Sequence, residues 1–525
     1  MNKKPLIGLA GVIFAAMTVE LNNRITSMTL SDIRGAMGLS VDSGHWIASI
    51  YASTMIIGMI LSSSWAGIFS IRRMILFAIA LCCISSVLIP FSPNIEILYL
   101  LRGLQGLSNG LIIPLLMACA LRFLGPDIRL WGLACYALTA TFFPNLSAAL
   151  SALYLDILGW KIIFFQSIPL CALSAALVYL GIPQDPYNFA KIKSYDWIGA
   201  LLATVALAAL STLLLHANHL DWFHSKFICV LALISAITLP LFILHEWCHP
   251  SPLIKPQMLE IRNFAYAVIA LFCFVIIGMS TSTLPVNYLT AVQGYKPTQS
   301  MWIGLQIAAL QLIYIPIVVK LLNQVWLDSR FVHGIGLILV MIGCLGASQL
   351  DTTWNREQFY FWHAISCLGQ TGVVLSLLMI GTNSVHPSMA PYASPMINTP
   401  RAISGVLGVC LLDWISRVRG EYHSTRLIEN TANKVFQNIQ GPAIDPLNPP
   451  VLTVNGAERV SGGLSALNSA IQTQQSVLII HDQYLILAGL TVILFIIMLL
   501  LPVRTYPPRI ALIKLMNSHN SGKSL

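Results

Sequence analysis

The chain has 525 residues, of which 56% are apolar and only 9% charged, where a soluble protein carries about 25% charged residues. With a mean hydropathy of +0.76, it cannot cover a water-facing surface with ions, which excludes a soluble enzyme, a nucleic-acid binder and a disordered scaffold. The formal charge of +9 gathers in short loops between apolar runs, so it carries topology rather than affinity for a polyanion.

Fourteen apolar segments are long enough to span the roughly 30 Å hydrocarbon layer, which takes about 20 helical residues. Their cores are 5–30, 46–68, 74–92, 95–121, 130–154, 161–182, 196–215, 226–246, 263–288, 301–323, 332–350, 358–382, 395–416 and 478–502. The runs are unbroken rather than short and alternating, which excludes a β-barrel. Lys3 and Lys4 before the first segment are read as the start of an uncleaved helix, because thirteen more spans follow.

With the N-terminus inside, seventeen of the 29 basic residues fall on the cytoplasmic side, among them Lys4, Arg72, Arg73, Arg122, Arg129, Lys191, Lys255 and Arg401. The short outer loops hold Arg34, Lys161, Lys226, Lys296 and Arg356. This bias is expected of a bacterial inner-membrane protein with both termini in the cytoplasm. Residues 417–477 form a long polar outer segment with two helical stretches, 421–439 and 464–476. It is either a tolerated insertion or a platform for a periplasmic partner.

Pro114, Pro144, Pro169, Pro285 and Pro316 interrupt spans, as structural kinks or as points where helices bend. A charge at mid-membrane costs about 2.5–3.5 kcal/mol on insertion scales, so Glu20, Asn22, Asn23 and Arg24 in the first span, and Arg102 and Gln105 in the fourth, require explanation. Glu20 and Arg102 come to similar depths on antiparallel helices. They form either a cavity-lining pair in which Glu20 gains and loses a proton, or a static lock. Arg24, one turn from Glu20, can also snorkel to the interface. Ser147 and Ser151 lie on a small-residue face of the fifth span, and Ser404, Gly405 and Gly408 form another in the thirteenth.

No catalytic constellation is visible: there is no GxSxG, HExxH or phosphate-binding loop. Ten of the eleven cysteines lie in apolar runs and none forms a CxxC pair, so no disulfide frame, metal centre or cofactor is expected. His216, His219, Asp221 and His224 share an outer loop and read as solvated. His245 and His249 flank Glu246 and Cys248 on the opposite side.

The string Leu101-Arg102-Gly103-Leu104-Gln105-Gly106-Leu107-Ser108-Asn109-Gly110 resembles the R-x-x-Q-G-x-x-x-G motif of the major facilitator superfamily. More narrowly, the chain is similar to the fourteen-helix drug/proton antiporter branch, the EmrB/QacA type. Trp160 to Pro169, Leu284-Pro285 through Tyr295, Asn398-Thr399-Pro400-Arg401, and His423-Ser424-Thr425-Arg426-Leu427 resemble further stretches of that branch in order and spacing. The resemblance implies an all-α membrane fold of two six-helix bundles, over 1–190 and 256–525, with helices 7 and 8 inserted at 191–255. It implies proton-coupled efflux of a small amphipathic compound, and, in double-membrane bacteria, a periplasmic adaptor and an outer-membrane channel.

Three departures from the pattern stand out. Asn22 occupies the place of the first helix's acidic residue, with Glu20 about 200° away around the helix. The loop between helices 2 and 3 keeps only Arg72 and Arg73 of its latch. The helix 5 antiporter motif survives as Pro144, Ser147 and Ser151. The expected site is therefore Glu20, Asn22, Arg102 and Gln105 for the proton and the substrate, with Arg72, Arg73, Pro144, Ser147 and Ser151 for gating. The alternatives are an importer or facilitator on the same fold, or a non-transporting sensor or assembly protein.

Overall fold

Lipid offers no partner to a backbone N–H or C=O, so an apolar run of this length must close its hydrogen bonds within itself. The computed structural model describes residues 4–125, 128–385, 389–438, 457–501 and 507, and no strand occurs among them. The principal helices are Lys4–Met28 (α1), Val41–Phe69 (α2), Ile71–Leu88 (α3), Ile95–Phe123 (α4), Arg129–Ala137 with Phe142–Ile163 (the two limbs of α5) and Ser167–Gly181 (α6). Then come Trp197–His216 (α7), Lys226–Cys248 (α8), Arg262–Ser282 (α9), Pro297–Leu322 (α10), Ser329–Ala347 (α11), Arg356–Asn383 (α12), Ala390–Asn438 (α13) and Ala457–Leu499 (α14).

Each helix covers one of the fourteen apolar segments. Twelve are long and apolar enough to cross a bilayer, and the limbs of α5, bent by 40° at their break, make a thirteenth. The remaining helix is α13, whose stretch 395–416 carries Arg401, Asp413 and two prolines, Pro395 and Pro400. The segment 417–477 is largely the continuation of two membrane helices, since α13 runs on to Asn438 and α14 begins at Ala457. Residues 439–456 lie outside the described residues, as do Lys3, Arg504, Arg509, Lys514 and Lys523.

Helix starts follow from short polar side chains that accept otherwise orphaned backbone N–H groups. Asn94 Oδ1 accepts from Ile97 N at 3.1 Å to open α4, and Asp196 Oδ1 accepts from Gly199 N at 2.7 Å to open α7. Asn355 and Gln358 cap α12 reciprocally.

Between helices in lipid there is little hydrophobic gain, so association rests on close contact and buried polar bonds. The crossing of α2 and α4 shows this most plainly. A Cβ at Gly110 would stand 2.1 Å from Met55 O, and one at Gly106 would stand 2.3 Å from Tyr51 O. The crossing of α11 and α12 is similar, where a Cβ at Gly369 would stand 2.6 Å from Gly336 O. The small face expected on α5 is also packed: Ser147 and Ser151 are buried.

Two ends of the molecule can be distinguished: a near end, where α1 begins, and a far end, where it finishes. At the far end α7 is tied to α2 by Ser53–Ser211 (2.7 Å) and Ser49–His216 (2.9 Å), and to α13 by Asn218 donating to Cys410 O (2.8 Å). From the loop after α7, His219 meets Asp42 of α2 at 2.7 Å and Asp221 meets Arg417 of α13 at 2.6 Å. The Arg417 guanidinium holds the Asp221 carboxyl below the usual carboxylate range. These loop histidines are thus separately partnered, and the solvated reading holds only for His224, which is 86% exposed. Helix α8 packs on α7 and turns Leu233 and Leu244 outward, as a lipid-facing helix does.

Gly110→Val should lower the unfolding midpoint in detergent by the equivalent of about 1–3 kcal/mol, because no rotamer relieves a clash with backbone. Gly35→Ala, where a Cβ meets nothing within 4 Å, should leave the midpoint unchanged in the same assay.

Candidate functional site

Water cannot solvate the polar groups of α1 and α4 at this depth, so they must satisfy one another or leave an unpaired atom. Ser86 of α3 is the meeting point. Its Oγ accepts from Asn22 Nδ2 at 2.9 Å and from Gln105 Nε2 at 2.8 Å. Gln105 Oε1 accepts in turn from Arg102 Nη1, which also donates to Thr26 Oγ1 at 3.3 Å. The Arg102 guanidinium lies over the Tyr51 ring, 4.2 Å from its centroid. The Tyr51 hydroxyl accepts from Asn109 Nδ2 at 2.5 Å. One network thus joins α1, α2, α3 and α4 around a guanidinium that is 2% exposed.

Three atoms of this network have no hydrogen-bond partner among the described residues: Asn22 Oδ1, Arg102 Nε and Asn109 Oδ1. Buried polar atoms are ordinarily paired. The cluster therefore holds unspent hydrogen-bonding capacity at membrane depth.

Glu20 does not pair with Arg102. Its carboxylate accepts from Arg24 Nε at 3.3 Å, one turn along the same helix. The reason is the direction of the side chains. A helical side chain leans toward its own N-terminus, and α1 and α4 run oppositely. Two residues at equal Cα depth therefore lean apart, and Arg102 reaches Thr26, about 9 Å further along α1 than Glu20.

The expected gating residues fall in two places. At the near end Arg72 lies over Tyr179 (4.1 Å) and Arg73 over Tyr187 (3.4 Å). Arg122 pairs with Asp185 at 2.8 Å, and Asn188 N donates to Ile68 O at 3.0 Å. The segment after α6 therefore covers the loop between α2 and α3, where Ile68 and Phe69 lack latch charges. Pro144 sits in the first turn of the second α5 limb, where a missing N–H costs nothing. Ser151 Oγ donates to Ser147 O at 2.7 Å.

A cavity of about 900 Å³ opens at the near end between the two halves of the chain, lined from one side by Ser63, Leu115 and Arg129 and from the other by Thr382 and Tyr392. None of the nine residues expected from the sequence lines it. The cavity stops where α13 is stitched to α4 and α5. Ser394 Oγ donates to Pro114 O at 2.7 Å, and Asn398 Oδ1 accepts from the Tyr136 hydroxyl at 2.7 Å. Arg401 Nη1 donates to Tyr136 at 2.9 Å and to Thr139 Oγ1 at 3.1 Å, where Thr139 lies in the break of α5. The sequence reading counted Arg401 on the cytoplasmic side, near the start of the span 395–416; the structure places it within α13 and gives it partners on α5.

Ser86→Ala removes the oxygen acceptor shared by two buried amides, leaving Asn22 only the weaker Cys82 Sγ at 3.5 Å, and should destabilise the protein by about 1–3 kcal/mol. Ser85→Ala should have little effect, because that hydroxyl bonds only carbonyls of its own helix. Thermal unfolding in one detergent distinguishes the two.

Comparison with known proteins places the chain. The Major Facilitator Superfamily profile matches residues 12–409. The probable multidrug resistance protein EmrY of Escherichia coli is 24% identical over 491 residues, covering 90% of each chain. The multidrug export protein EmrB of the same organism is 23% identical, covering 84% of this chain and 88% of its own. Among solved structures, the proton:xylose symporter XylE shares the fold at a TM-score of 0.57 and 12% identity, over 98% of this chain and 99% of that one. The human organic anion transporter MFSD10 does so at 0.56 and 11%, over 95% and 99%. A polytopic helical bundle with a cavity between its halves, matched by the profile over most of its length, is a divergent transporter belonging to the major facilitator superfamily.

Proposed function

We propose that the chain is a proton-coupled exporter of a small amphipathic organic compound across the bacterial inner membrane. The near-end cavity carries this reading. Its volume lies in the range of small-molecule sites, and its wall mixes apolar residues with Tyr187, Tyr195, Arg122 and Asp185. An amphipathic molecule needs both kinds of contact. The relatives named for multidrug resistance and export support the outward direction. The shared fold includes a symporter, so direction must come from flux and not from fold.

With the near end in the cytoplasm, as the basic residues suggest, the described state faces inward. Substrate enters the cavity beneath the layer of Ser394, Asn398 and Arg401. Parting of that layer gives access from the other side. Glu20 carries the proton, and binding it releases Arg24. The network of Asn22, Arg102 and Gln105 holds α1 against α3 and α4 while Glu20 changes charge. Movement of one proton down 100 mV releases about 2.3 kcal/mol, enough for a roughly 50-fold gradient. Arg72, Arg73, Pro144, Ser147 and Ser151 serve gating, in two bundles over 1–190 and 256–525 joined by an inserted pair at 191–255. The extensions of α13 and α14 over 417–438 and 457–477 would receive a periplasmic adaptor that leads to an outer-membrane channel.

Proteoliposomes with an imposed pH gradient and a panel of amphipathic compounds test the proposal. Gradient-driven flux in the wild type should be lost in Glu20→Gln, while gradient-free exchange persists. Flux that keeps its coupling in the mutant removes Glu20 from the mechanism. Flux only toward the lumen that models the cytoplasm makes the protein an importer.

A further inference from the structure

At the rim of the near-end cavity, where α7 and α8 come together, four side chains of metal-binding type lie side by side. Asp196 is the N-cap of α7 and is almost fully buried. His245 and His249 stand four residues apart, one at the C-terminal end of α8 and one just beyond it, so both imidazoles present to one side. Asp196 Oδ1 lies 2.8 Å from His245 Nε2, and Asp196 Oδ2 lies 3.5 Å from His249 Nδ1. One ligand atom from each of the three falls within 4.8 Å of the others. A tetrahedral site with bonds of about 2.1 Å has ligand edges of about 3.4 Å, so modest adjustment accommodates an ion.

A second observation points to the same spot. Glu246 is fully buried, its Oε2 accepts from Ile254 N at 3.0 Å, and its Oε1 has no partner among the described residues. A Cβ at Gly199 would lie 2.4 Å from Asp196 Oδ2 and 2.5 Å from Glu246 Oε1, so both oxygens flank one point. Among the described residues no lysine or arginine forms an ion pair with either acid. Two buried carboxylates facing two imidazoles lack a cation, and a fully buried unpaired oxygen is costly.

We propose that Asp196, His245, His249 and Glu246 bind a divalent transition-metal ion of the zinc class. Two imidazoles with carboxylate oxygens suit Zn²⁺, Co²⁺ or Ni²⁺, whereas Mg²⁺ and Ca²⁺ prefer oxygen alone. The ion takes the lone pair that His249 Nδ1 now offers to Ser251 N at 3.3 Å. Bound there, it clips the start of α7 to the end of α8 and to the segment leading to Ile254. Asp196, Ser251 and Leu253 also line the cavity, so the clip stiffens one wall of its entrance.

The test uses the full chain, purified in detergent, stripped with chelator and titrated with Co²⁺ under visible absorption, with Zn²⁺ competing. One equivalent should bind, with ligand-field bands and without a thiolate charge-transfer band. His245→Gln and His249→Gln should each weaken binding at least about tenfold. Gly199→Ala should weaken it too, while His219→Gln with His224→Gln at the far end should leave it unchanged. Loaded wild type should melt higher than the stripped protein, and loaded His249→Gln should not. No saturable binding, binding that survives both histidine variants, or a thiolate band would overturn the proposal. The histidine variants keep the Asp196 cap of α7, so gel filtration and helical circular dichroism should match the wild type and separate lost binding from lost folding.

Discussion

Arg102 is a permanent charge placed where neither water nor lipid headgroup reaches it, and the first four helices are arranged around that fact. Its guanidinium needs acceptors, and Gln105 and Thr26 provide them. Gln105 must then spend its own donors, which brings in Ser86 and through it Asn22. The aromatic face of Tyr51 covers the remaining side. Each bond fixes one helix relative to another, and in lipid such bonds and close packing replace the hydrophobic drive of a soluble core. The glycine crossing of α2 and α4 belongs to the same arrangement, since Tyr51 and Arg102 could not stack if those helices stood further apart.

The junction between the halves is built differently. There α10 packs on α5 and α13 on α2, but the hydrogen bonds that α13 sends across are few and specific: they go to the carbonyl of Pro114 and the side chains of Tyr136 and Thr139. The last of these lies in the break of α5, where backbone groups have left the regular helix ladder. A layer made of a handful of hydrogen bonds can be exchanged for another set at small net cost, since an intramolecular bond is worth only about 0.5–1.5 kcal/mol net. The network that joins α1, α2, α3 and α4 shares one hydroxyl between two buried amides and offers no such exchange.

The buried acids divide by the partner each finds. Glu20 keeps an arginine on its own helix and sits part-exposed, so its charge can be neutralised locally. Asp196 and Glu246 are buried against histidines and backbone N–H groups where α7 and α8 meet at the near end. The same element, a carboxylate out of water, thus meets a cation on its own helix in one place and imidazoles from a neighbouring helix in the other.

The sequence by itself determined that the chain is an all-helical membrane protein and which superfamily it belongs to, because span length and the order of short motifs are written linearly. It also marked Arg102 and Gln105, since a charge in an apolar run stands out whatever its surroundings. It could not say which partner each polar group takes. Glu20 and Arg102 match in depth, yet side chains on antiparallel helices lean in opposite directions, and that is visible only when both helices are present. Arg401 was counted with the basic residues that set topology, while the tertiary structure gave it acceptors on α5 and in its break. Asp196 and His245 lie 49 residues apart, and only the pairing of α7 with α8 makes them neighbours. Hydropathy is a property of one segment, whereas a site belongs to several segments at once, so only the packing of helices could decide it.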